Sequence, residues 1–122
     1  MKRLSLVAIM LCTILFSQQL YAQTAKSETI KVWGNCGMCK KRIEKSAKSA
    51  GAITASWDAE KLELQVTFDE NQTSSISIQQ AIANAGYDTQ DITADDKAYN
   101  KLSGCCKYDR KAPMPSIINS NH

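Results

Sequence analysis

Between residues 33 and 39 the chain changes its hydrophobic period. Thr29-Ile30-Lys31-Val32-Trp33 alternates polar and apolar residues, the pattern of a half-buried strand with Ile30 and Val32 turned inward. From Cys39 the apolar positions Cys39, Ile43, Ala47 and Ala50 recur every three or four residues, which makes one face of a helix. Gly34-Asn35-Cys36-Gly37-Met38-Cys39 joins the two. Two cysteines three apart therefore lie where a strand ends, a loop turns and a helix begins. Unpaired N–H groups and the positive end of the helix dipole favour thiolates there. Lys40, Lys41 and Arg42 are expected to act in the same direction. The expectation is a loop that binds a soft metal ion.

The rest of the chain supplies a small α+β domain. Glu44 and Lys48 are spaced as a favourable i,i+4 pair, and Gly51 suits a left-handed helix end. Ile53, Ala55 and Trp57 alternate with polar residues. The turn Asp58-Ala59-Glu60-Lys61 follows, and then Leu62, Leu64, Val66 and Phe68 alternate in turn, which predicts a hairpin with one wet face. Ser77 with Gln80 has the form of a capping box, with Ile76 and Ala81 as its staple. Ile78, Ala81, Ile82 and Ala85 make a second helical stripe that Gly86 stops, and Tyr87 to Thr93 reads as a weak last strand. The order β-α-β-β-α-β predicts a ferredoxin-like fold: a four-stranded antiparallel sheet with two helices on one face.

The first 22 residues stand outside this domain. Lys2 and Arg3 precede a largely apolar run, Leu4 to Phe16, and a more polar stretch ending in Leu20-Tyr21-Ala22. This is the pattern of a secretory signal peptide cut after Ala22, so the protein is expected to be exported, periplasmic or secreted. Residues 23–27 read as a linker, 28–93 as the domain, and 94–122 as a cysteine-containing tail. Removing residues 1–22 lowers the formal charge from +3 to +1, which argues against nucleic acid as a partner.

Four cysteines remain after that cut: Cys36, Cys39, Cys105 and Cys106. In an exported chain an even number first suggests disulfides. Both pairs are local, however, and would close no long loop, so neither would stabilise the fold much. In the tail, Asp95 to Leu102 has the composition of a short capped helix, with Tyr99 and Leu102 able to dock on the domain and carry Ser103 to Cys106 towards the loop. The alternative is a solvated tail. Lys107 to His122, with Pro113 and Pro115, is expected to be mostly disordered. His122 has nothing to fix its position and is a poor ligand candidate.

Residues 28–93 resemble the heavy-metal-associated domain, found in copper chaperones, metal-transporting ATPases and periplasmic mercury-binding proteins. The shared marks are Cys36-x-x-Cys39 after the first strand, Ile43, Gly51, Phe68-Asp69, and Ala81-Ile82 followed by Ala85-Gly86-Tyr87. The resemblance implies Cys36 and Cys39 as the two metal ligands and places Tyr87 near the metal loop, where packing is its simpler role. Trp33-Gly34-Asn35-Cys36 departs from the family's Gly-Met-x-Cys. Gly34 stands where relatives bury a methionine beneath the loop. Met38 is a candidate to refill that space or to offer a thioether to Cu(I), with packing or exposure the simpler role.

Two thiolates on a loop suit a soft monovalent ion, so Cu(I) is expected first, with Hg(II) or Zn(II) as alternatives. Cys105 and Cys106 are candidate additional ligands that would widen the choice. The expected role is binding or delivering the ion, not catalysis. A metal-transporting membrane protein or another metal-binding domain would be the partner. The competing reading is a thiol–disulfide protein using the same Cys36-x-x-Cys39.

Overall fold

The computed structural model describes residues 2–17 and 25–112, with the helical backbone alone for residues 12–17. Helix α1, Lys2–Ser17, is the apolar segment expected as a signal peptide. Its large apolar side chains from Leu4 to Leu11 are exposed. Among the described residues no helix is long and apolar enough to cross a membrane. The expected cut after Ala22, Pro113, Pro115 and His122 all lie outside the described residues.

Strand β1 (Ala25–Lys31), helix α2 (Gly37–Ser49), strands β2 (Ala52–Asp58) and β3 (Glu63–Asp69), and helix α3 (Ser75–Asn84) follow in order. β3 is central and pairs antiparallel with both neighbours, in the order β1-β3-β2. Leu64, Val66 and Phe68 point from β3 into the core, where they meet Ile30 from β1 and Trp57 from β2. α2 adds Cys39, Ile43 and Ala47, and α3 adds Ile78 and Ile82. Truncating Trp57 or Phe68 to Ala is expected to cost about 3–5 kcal/mol.

Tertiary structure altered several local expectations. Ile53 is 58% exposed and Ala52 is buried. A bulge between Ala52 and Thr54 shifts the register, and it reverses which residue faces inward. α3 is capped by Ser74, whose hydroxyl accepts from Ser77 N at 3.1 Å, so the box expected at Ser77 starts one turn early. Ile76, the residue expected as the staple, is exposed. Glu44 pairs with Lys40 at 2.6 Å and accepts from Trp57 N at 3.3 Å, in place of the expected partner Lys48.

The described sheet has three strands, not four. Beside β1, where the fourth was expected, there is one bridge, Val32 to Thr89. Two backbone hydrogen bonds flank it, Trp33 N to Asp88 O (2.9 Å) and Gln90 N to Lys31 O (2.8 Å). The pairing stops because Thr89 N turns back to Ile92 O (2.8 Å). Side chains hold that turn: buried Gln79 accepts from the Thr89 hydroxyl (2.8 Å) and donates to Asp91 (2.8 Å). Asp88, Gln90 and Asp91 are also weak strand formers.

The segment expected as a tail continues the core. Helix α4 (Asp96–Asn100) is capped by Asp95, and a 3-10 turn (Gly104–Cys106) follows. Leu102, Cys106 and Tyr108 are buried in the same apolar cluster as β3. Gly86 allows this. It has φ of +106°, and a Cβ there would lie 2.8 Å from the Ala98 carbonyl oxygen. Residues 107–112, expected to be disordered, are tied down by Tyr108, Arg110 and Lys111.

Trp57 explains the departure at Gly34. A Cβ on Gly34 would lie 2.9 Å from two Trp57 ring carbons and 3.1 Å from Ile43 Cδ1. Trp57 also donates its indole N–H to Val32 O at 3.0 Å. The indole therefore fills the space beneath the loop for which Met38 was one candidate; Met38 is half exposed, the simpler of the roles considered for it. Gly34→Ala should destabilise the fold by about 1–3 kcal/mol by overpacking. In a Trp57→Leu background the same change should be near neutral. Urea unfolding of the four proteins of this cycle checks it, and equal penalties in both backgrounds would show that Trp57 does not set the space.

Candidate metal centre

Cys36 is the N-cap residue of α2, with extended backbone angles, and Cys39 lies in its first turn. Their sulfurs are 3.8 Å apart. Cys36 is half-buried and Cys39 fully buried. The backbone N–H groups of Cys39 and Met38 hold the Cys36 thiol below its ordinary pKa. The helix start does this, not the neighbouring cations: Lys40 Nζ is held by Glu44 and by Trp57 O at 2.9 Å.

A third sulfur joins the pair. Cys36, Cys39 and Cys106 have sulfur atoms all within 4.8 Å of one another. Cys106 is fully buried, and desolvation pushes its thiol up to about 12. The Cys36 thiol donates to Cys105 O at 3.3 Å, and Asn35 Nδ2 donates to the same oxygen at 3.4 Å. Cys105 itself turns outward. Its sulfur lies 3.7 Å from Met38 Sδ and 4.0 Å from Cys106 Sγ. All four cysteines are free thiols.

The segment that carries Cys106 is fastened by buried polar groups. Tyr108 donates its hydroxyl to Gly86 O (2.7 Å) and accepts from Asp88 N (2.8 Å). Its ring stacks on Tyr87 at 5.7 Å and meets Tyr99 edge-on at 5.1 Å. Arg110 binds both oxygens of Asp88, at 3.1 and 2.9 Å. Burial would raise the Asp88 pKa, but Arg110 and the Ala94 N–H hold the carboxyl below its usual range. Removing one partner of such a buried pair typically costs about 3–5 kcal/mol. Sequence reading missed Asp88, Tyr108 and Arg110; each looked like an ordinary polar residue in a loop or tail.

Tyr87 lies beneath the cluster. It is fully buried, and its hydroxyl has no hydrogen-bond partner among the described residues. Burial, with the Cys39 and Cys106 thiols nearby, raises its pKa.

Comparison with known proteins places this geometry. The model of the heavy-metal-associated domain matches residues 35–88. Among solved structures, a putative copper-ion-binding protein from Bacillus anthracis is 29% identical, over 54% of this chain and 96% of that one, with a TM-score of 0.51. Oxidized MerP from Ralstonia metallidurans is 28% identical over 54% of this chain and 94% of that one, with a TM-score of 0.51. The N-terminal domain of the zinc(II) ATPase ZiaA, in its apo form, is 37% identical over 53% of this chain and 94% of that one, with a TM-score of 0.47. No curated protein matches the chain.

The cysteines should differ in reactivity. In variants that each keep a single cysteine, Cys36 should alkylate faster than fully buried Cys39. Because its pKa is lowered, the Cys36 rate should reach half its plateau below the ordinary thiol value of about 8.5. Cys106, which burial holds protonated, should need a higher pH than Cys36. Rate–pH profiles with iodoacetamide check this; a Cys36 midpoint at or above the ordinary value would contradict the helix-start effect.

Proposed function

This chain belongs to the heavy-metal-associated domain family, and we propose that it is an exported protein that binds and hands on Cu(I). The reading rests on one observation above all: the Cys36 and Cys39 thiols, 3.8 Å apart at the start of α2, in the loop after β1. Soft thiolates select a soft ion. The helix start supplies part of the compensation for their charge without a metal being present. Binding releases the thiol protons, so affinity rises with pH until the thiols are ionised.

Half-buried Cys36 is the more exposed sulfur of the pair, and the ion can pass on to an acceptor thiolate by ligand exchange. The acceptor would be a metal-binding domain or a metal-transporting membrane protein. The role is binding, not catalysis. Lys2 and Arg3 at the start of α1, ahead of its apolar run, support export. Hg(II) is the second reading for the cargo, favoured by the similarity to MerP. A thiol–disulfide role uses the same two cysteines but gives no account of the third sulfur beside them.

Cys36→Ser and Cys39→Ser should each abolish tight Cu(I) binding, and circular dichroism should show the fold unchanged. Anaerobic titration against a chromophoric Cu(I) chelator measures the loss. If the double variant still takes up one Cu(I) in that competition, the ligand assignment is wrong.

A further inference from the structure

We propose that Cys106 is a third thiolate of the same site, so that the chain binds its ion in a three-sulfur shell closed by its own C-terminal segment. The inference rests on the Cu(I) reading above and adds to it a ligand outside the region that the family model matches, residues 35–88.

Geometry carries it first. With metal–sulfur bonds of about 2.3 Å, a planar three-thiolate shell spaces its sulfurs about 4.0 Å apart, and a linear pair about 4.6 Å. Cys36 and Cys39 are 3.8 Å apart, closer than a linear pair, and Cys106 stands within 4.8 Å of both. A three-coordinate ion therefore fits with small shifts of the side chains. Cys106 is also held in place. Tyr108, two residues on, is locked to Gly86 and Asp88, and Arg110 is locked to the Asp88 carboxylate. A free tail would have to be ordered on binding, whereas here the third ligand is placed beforehand.

A second observation points the same way. The Tyr87 hydroxyl is fully buried and has no hydrogen-bond partner among the described residues, beside Cys39 and Cys106. An orphaned buried hydroxyl is costly. A metal-bound thiolate is a strong acceptor, so filling the site would give that donor its partner.

The chemistry is ligand exchange with no change of oxidation state. On binding, three Cu–S bonds form, three thiol protons pass to solvent, and copper stays Cu(I). In hand-over, an acceptor thiolate bonds to the ion as the Cu–Cys106 bond breaks, and Cys106 takes a proton from solvent. Cys106 therefore occupies the position that an incoming thiolate needs. The C-terminal segment makes the site a holding site, and transfer requires its displacement. Cys105, turned out towards Met38, is not a ligand in this arrangement.

The test uses the reduced full chain loaded anaerobically with one Cu(I). X-ray absorption should count three sulfurs in the unaltered protein and two in Cys106→Ser. That variant should also lose affinity on the order of a hundredfold, as expected when a tethered ligand is removed, and should release copper faster to a chelator. Cys105→Ser should leave all three readouts unchanged. Two sulfurs in the unaltered protein would overturn the proposal even if Cys106→Ser fails to fold. So would a third sulfur lost in Cys105→Ser but kept in Cys106→Ser. Cys36→Ser/Cys39→Ser separates the two readings. Copper retained there overturns the underlying Cu(I) assignment, whereas copper lost there with a two-sulfur unaltered protein overturns only the role of Cys106.

Discussion

The carboxylate of Asp88 is fully buried, and a buried charge has to be paired. Its charged partner lies outside the β-α-β-β-α repeat. It comes from Arg110, twenty-two residues on, which bonds both carboxylate oxygens. That requirement draws the last described segment across the end of the fold. It brings Tyr108 onto Tyr87 and sets Cys106 beside Cys36 and Cys39. The chemistry of the third sulfur thus depends on an ion pair that contains no sulfur.

A second constraint works beneath the loop. Trp57 fills the space under Gly34, donates to Val32 O, and receives Lys40 at its own carbonyl. One aromatic on β2 therefore supports the end of β1, the cysteine loop and the start of α2. It fills the space where the family resemblance implied a methionine of the loop. The cations after Cys39 belong to this support: Lys40 braces Glu44 and the sheet and leaves the thiols to the helix start.

The three thiols differ because their surroundings differ. Cys36 faces the N–H groups of a helix start, which lower its pKa. Cys106 lies in an apolar setting that resists ionisation until something replaces its proton.

By itself the sequence determined the elements whose pattern is local. Period-2 alternation marked β1 and β3, helical spacing marked α2, and Asp95 marked the cap of α4; these follow from residues a few positions apart. The placing of Cys36 and Cys39 at a helix start was legible for the same reason. Tertiary structure decided what no local window holds. The bulge at Ile53 answers to the register with β3. The missing ladder at residues 89–92 answers to Gln79 on α3. The space at Gly34 answers to Trp57. Cys106 reached the site through Asp88, Tyr108 and Arg110, residues that pack across the chain and have no periodic signature. Alternation and spacing record which face of an element is buried, but a buried ion pair between distant residues is specified only when the fold has brought its two ends together.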